Sequence, residues 1–139
     1  MALASTNSWT DKVEKTIITA LRNHFKASIN IYRAKNENLR GNQFIVLKGD
    51  ASEPQNTMYA RLGANFFLTI EYYMADHLRN DNTVKKFFSN ISTIEEVLYS
   101  LVEIDPLFNV EINAINYEDD IEFKGYRKGQ FELLVRNIR

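Results

Sequence analysis

The chain of 139 residues has no cysteine, only two prolines and only five glycines. Without cysteine there can be no disulfide framework, no thiolate metal site and no cysteine nucleophile. That absence also fits a reducing compartment. The glycines form neither a G-x-G-x-x-G nor a Walker A loop, so no phosphate cradle is written in the sequence, and no H-E-x-x-H occurs. No G-x-S-x-G elbow occurs either. His24 and His77 fall in different elements without ligand spacing and are expected in structural or surface roles. Seventeen Lys and Arg against eighteen Asp and Glu give a net charge of -1. Such a balance exerts no bulk pull on nucleic acid or anionic lipid. No apolar run approaches the roughly 20 residues that span a bilayer. The opening MALASTNSWTDK lacks the basic and apolar regions of a signal peptide. The expectation is a protein made in a cytoplasm, with no membrane segment, no cofactor, no metal and no enzymatic activity.

What is present is a globular composition, 45% hydrophobic and 12% aromatic. A chain of this length buries roughly two thirds of its unfolded surface and needs no staples. Nothing repeats, and residues 1–139 are expected to form one domain, with 1–8 as a flexible lead. A helix is expected from the four-residue spacing of Val13, Ile17, Leu21 and Phe25, with Ser8 or Thr10 as cap. SINIYRA reads as a short strand with Ile29 and Ile31 on one face. KNENLRGNQ reads as a polar connection, FIVLK (44–48) as a compact buried strand, and GDASEPQNT as a loop rich in turn residues. Val84, Phe87, Phe88, Ile91, Ile94, Val97, Leu98 and Leu101 mark one apolar helical stripe. Ser92 and Glu95 form a possible capping box inside it, so one helix or two are both compatible. Pro106 ends it. NVEINAINY alternates through Val110, Ile112 and Ala114. EDDIEFKGYRKG reads as a connection, and QFELLVRNI as the last strand, with Phe131, Leu133 and Val135 sharing a face. The order is α-β-β-β-α-β-β. It predicts an α+β fold, a mostly antiparallel sheet of about five strands packed against two amphipathic helical segments.

YARLGANFFLTIEYYM, residues 59–74, is the unusual stretch. Ala60, Leu62, Ala64, Phe66, Leu68, Ile70, Tyr72 and Met74 alternate with a mixed set. Sixteen extended residues would span roughly 53 Å, against a domain diameter of roughly 37 Å. The preceding strand, taken as Phe44–Lys48, is too short to pair with all of it. A bend at Gly63 would shorten the run, and a neighbouring copy could cover the remaining edge. Arg61, Phe67 and Tyr73, on the mixed face, are the expected contacts between copies. Phe66, Leu68, Ile70, Leu98 and Leu101 are expected in one core.

Few residues suggest other chemistry. Asp119, Asp120, Glu122 and Lys124 are too closely spaced for a carboxylate centre built from separate strands and read as a solvated loop. Lys124, Tyr126, Arg127 and Lys128 form the only compact basic patch. Cations with an interleaved aromatic could meet single-stranded nucleic acid, although the acidic EDD beside them favours a hairpin or loop. Glu95 and Glu96 belong on a wet helix face, and Trp9 and Phe25 read as core or interface anchors.

The layout carried by WTDKVEKTIITALRNHF, NQFIVLKGD, YARLGANFFLTIEYYM, NTVKKFFSNISTIEEVLYSLV and NVEINAINYEDD resembles the tail terminator, or tail completion, proteins of long-tailed bacteriophages. It is also similar to the related neck and tail-tube joining proteins. The resemblance covers nearly the whole chain but rests on pattern, without a signature motif. It implies a structural virion protein, assembled in the host cytoplasm into a ring, usually a hexamer. Such a ring caps the tail tube, joins it to the head connector and lets DNA pass its lumen without specific binding. It also implies no catalytic residue and no cofactor.

Overall fold

The fold comes from a computed structural model that describes residues 6–26, 28–33, 43–54, 64–75, 81–104, 108–119 and 126–137. The elements follow the expected order: α1 (Thr6–Phe25), β1 (Asn30–Tyr32), β2 (Gln43–Pro54), β3 (Ala64–Ala75), α2 (Asp81–Ile104), β4 (Phe108–Asp119) and β5 (Tyr126–Asn137). The strands form one sheet in the order β1-β2-β3-β5-β4. Every pair is antiparallel except β1 with β2. The fold is α+β, as expected.

Both helices lie on one face of the sheet. Val13, Ile17, Ile18 and Leu21 of α1 join Phe87, Ile91, Ile94, Leu98 and Leu101 of α2 in one buried cluster, together with Ile45, Leu47, Phe66, Leu68, Ile70, Phe131, Leu133 and Val135. Phe66, Leu68, Ile70, Leu98 and Leu101 therefore share a core. α1 begins at Thr6, so Ser8 and Thr10 lie inside it rather than capping it. No residue there forbids helix, and serine and threonine cost only a few tenths of a kcal/mol relative to alanine. The helix ends at Lys26, whose φ of 54° is left-handed and whose amide donates to the Arg22 carbonyl at 2.7 Å. Arg22 Nη2 donates to the Ile31 carbonyl at 3.1 Å, and Arg33 bonds both Asp11, at 2.9 Å, and Glu14. These contacts pin the edge strand β1 to α1.

Several boundaries differ from the sequence reading. α2 is one unbroken helix of 24 residues, so Ser92 does not divide it. Phe88, placed on the apolar stripe, is 41% exposed. It sits about 100° around the helix from Phe87, at the margin of the stripe. β2 continues through Gly49–Pro54, where a loop was expected. There, Gly49 to Pro54 pair with Leu68 back to Ala64 across a bulge at Asp50. A long partner strand thus overrides the turn propensity of those residues. β3 is described from Ala64, so Tyr59–Gly63, with Arg61 and the expected bend at Gly63, lie outside the described residues. Over Asn65–Ala75, β3 pairs with β5 on one side, and over Ala64–Met74 it pairs with β2 on the other. It is the central strand, and over that length it has no free edge to offer a neighbour. The upstream partner is twelve residues long, not five.

β4 carries the remaining surprise. Its register shifts between Ile112 and Ala114, leaving Asn113 as a bulge. The extra residue turns the pattern over. Ile115, opposite Phe131, joins Val110 and Ile112 against the core, whereas Ala114 stands opposite Glu132 on the other face. β5 starts at Tyr126, so Tyr126–Gly129 are strand rather than loop.

Candidate functional site

The alternate residues of the same strands build the face away from the helices. Phe44 and Val46 of β2 stand with Thr69, Glu71 and Tyr73 of β3, and with Lys128 and Leu134 of β5. Phe44, Val46 and Tyr73 form a second small cluster, with Tyr32 and Tyr126 packed against it. Phe44 stacks on Tyr73 with centroids 4.7 Å apart and meets Tyr126 at 5.7 Å.

Beside this aromatic group lies a buried carboxylate. Glu71 is 3% exposed. Its Oε2 accepts a hydrogen bond from the Tyr73 hydroxyl at 2.9 Å and pairs with Lys128 Nζ at 2.5 Å. Its Oε1 has no hydrogen-bond partner and faces Lys48 Nζ at 3.9 Å. Burial pulls the carboxyl pKa upward, but Lys128 and Tyr73 more than offset this, and it lies below its ordinary value. Lys128 also lies over the Tyr73 ring, 5.7 Å from its centroid. Strand geometry explains the meeting. Glu71 and Tyr73 are two apart on one face, Lys128 stands opposite Tyr73, and Lys48 is diagonal to Glu71. The buried carboxylate ties β3 to β5 through Lys128.

This arrangement decides where the expected residues go. Tyr73 is fully buried, so it is a core residue of this face and not a contact offered to another copy. The mixed parity misled because tyrosine and glutamate can be buried when each finds a partner. Phe67 is half-buried opposite Leu134. Of the basic patch, Lys128 is held by Glu71, Tyr126 packs on Phe44, and Arg127 lies 5.7 Å from the Phe87 ring on the helix side. The three are split between two faces of the sheet and do not form one cationic surface. Lys124, Asp120, Glu122 and His77 lie outside the described residues. His24 is exposed, edge-on to Phe25 at 5.2 Å.

On the helix side, Asn90 Nδ2 donates to the Tyr72 hydroxyl at 2.7 Å and to Gln43 Oε1 at 2.8 Å, while the Tyr72 hydroxyl donates to Gln43 Oε1 at 2.6 Å. Burial pushes the Tyr72 phenol up to about 12. This closed triangle fastens α2 to the sheet. A recess of about 510 Å³ runs along the side of α1 away from its core stripe, past Asp11, Lys15, Thr19 and Asn23. Lys15 pairs there with Asp11 at 2.9 Å. Among the described residues no three His, Asp or Glu side chains group as metal ligands. No described helix is long and apolar enough to cross a membrane.

The surface features that stand out are at the β4 edge. Phe88 and Tyr117 are 41% and 49% exposed and meet edge-on at 5.2 Å; Tyr99, three helical turns along α2 from Phe88, is 53% exposed. The sequence reading missed this cluster. The eleven-residue spacing of Phe88 and Tyr99 on α2 was the available signal, while the approach of Tyr117 depends on the bulge. Among the described residues, no strand pairs with the outer side of β4, and β1 pairs only with Phe44–Val46 of the twelve residues of β2. The chain matches no protein-family model and no curated protein.

Proposed function

We propose that this chain is a structural virion protein that assembles into a ring, a hexamer, capping the tail tube of a long-tailed bacteriophage and joining it to the head connector. DNA passes through the lumen of that ring without specific contacts. The observation that carries the reading is a sheet that, among the described residues, has no strand added at either edge, is helix-covered on one face and is bordered by exposed aromatics on one side. Unpaired edges of this length invite strand addition, and aromatic side chains are enriched in interface cores. The element order, present along the whole chain, is the layout that suggested the tail terminator proteins. The reading of Lys124–Lys128 as a nucleic-acid contact gains no support, because Tyr126, Arg127 and Lys128 are engaged within the fold.

The test is the solution mass, followed by negative-stain images of the purified protein. A closed ring of about six copies with an axial hole, binding the ends of isolated tail tubes, is expected. A monomer at micromolar to millimolar concentration that ignores tube ends would overturn the proposal.

A further inference from the structure

We infer that the contact between copies is a continuation of the sheet, with the first half of β4 adding to the outer edge of β2 at Leu47–Pro54 of the next copy. The inference rests on the ring reading and names the surface that such a ring would use.

Two open edges lie on opposite sides of one sheet. Among the described residues, nothing pairs with the outer side of β4, and β1 leaves nine of the twelve residues of β2 uncovered, eight of them in the run Leu47–Pro54. Two different patches that fit each other make a head-to-tail contact, which closes into a ring when the rotation per copy is right. Strand direction agrees. Within one copy β2 and β5 run the same way, and β3 and β4 run opposite to them. Rotation about an axis along the strands preserves direction, so β4 arrives antiparallel to the neighbour's β2. The antiparallel ladder is the more stable pairing and needs no connection between the two strands.

Level also agrees. Lys48, Thr69, Glu132 and Ala114 form one row across the four long strands. The same rotation therefore brings Ala114 of one copy to the height of Lys48 of the next. Below this row, β1 covers β2 as far as Val46. Just above it β4 has its bulge at Asn113, which bends the strand where its second half must clear β1. That half carries Tyr117, in the row of Gly129, Tyr72, Ile45 and Ile31, on the helix side. Tyr117 and Phe88 thus arrive against β1 and α1 of the next copy, and their exposure is relieved there.

The chain has no cysteine, so introduced thiols can pair only with one another. Lys48→Cys with Ala114→Cys in one chain places the two thiols three strand spacings apart, roughly 14 Å, too far for a bond within a copy. Native mass is measured first, then the protein is mildly oxidised and run on a denaturing gel without reductant. A ring-sized mass with a ladder of linked copies ending in a closed species is expected, and each single variant should stay unlinked. Ala51→Cys with Ala114→Cys samples a ring staggered by one step on the same face, and a ladder from either pair supports the inference. A ring-sized mass with no ladder from either pair overturns the edge contact and leaves the ring standing. Linked dimers from Ala114→Cys alone mean β4 pairs with its own copy, which overturns the inference. A monomeric mass for the unmodified chain removes both readings together.

Discussion

The two faces of the sheet are made by alternate residues of the same strands, yet they are buried by different means. Among the described residues, the helix-covered face holds twenty-one buried hydrophobic residues in one continuous cluster, against a cluster of three on the other face, so its burial is spread over many small apolar contacts. The second face is organised around Glu71, Lys128 and Tyr73, where few interactions each carry much of the outcome. Apolar burial is tolerant of substitution by similar shapes. A buried ion pair tolerates joint replacement but not the loss of one partner. The contrast can be broken or sharpened by mutation.

The largest effect belongs to Phe87, which is fully buried and meets Tyr72, Phe88 and Tyr117. Phe87→Ala should cost about 3–5 kcal/mol in chemical denaturation. A loss below about 1 kcal/mol would mean that the helix layer does not hold the sheet as described. Next is the ion pair. Lys128→Met leaves the Glu71 carboxylate without its closest charge and should cost about 3 kcal/mol, whereas adding Glu71→Leu should recover most of that loss. If the double variant is no better than the single, the pair contributes more than the removal of an uncompensated charge explains.

Gly129 gives a smaller effect and returns to the helix face. A methyl group there would press into the Ile91 side chain and close on Phe87. Gly129→Ala should cost about 1–3 kcal/mol through overpacking, and Ile91→Val in the same chain should return part of it. Equal stability of Gly129→Ala and the parent would show that Ile91 yields freely. The smallest effect is the acid response of the second face. The Glu71 pKa is held below its unfolded value, so its stabilisation is complete above an unfolded pKa of about 4.3 and is lost as pH falls through the folded value. Melting temperature should therefore fall less steeply below about pH 5 in Glu71→Gln than in the parent. Parallel slopes would show that this carboxyl titrates alike in both states.

The same contrast explains what could be read from the sequence. The helix-covered face was legible because its burial repeats: Phe66, Leu68, Ile70, Tyr72 and Met74 keep a period of two, and α2 keeps its stripe from Phe87 to Leu101. The second face was not, because Glu71 looks like a solvent residue until Lys128, 57 positions later, is placed beside it. Boundaries failed where pairing overrode local preference, as in Gly49–Pro54. The phase of β4 failed where one extra residue reversed it, so that Ile115 replaced Ala114 on the core side. Of the proposed assembly surface, Phe88 and Tyr117 were visible as residues, but their exposure follows from helix margin and bulge, which periodicity does not reveal.

The central place of β3 also sets an order of events during synthesis. Its first partner, β2, precedes it and can form a hairpin as soon as Ala75 has emerged, since the two are close along the chain. Its second partner, β5, is the last strand made, and 62 further residues must be added between Ala75 and Asn137. At 5–20 residues per second that takes about 3–12 s. For that time the nascent chain carries a twelve-residue β3 with the edge that β5 will cover left unpaired. Newly made chains on crowded ribosomes are therefore most prone to pair wrongly with each other in this interval, and slowing translation after Ala75 should lower the soluble yield more than slowing it before Gln43.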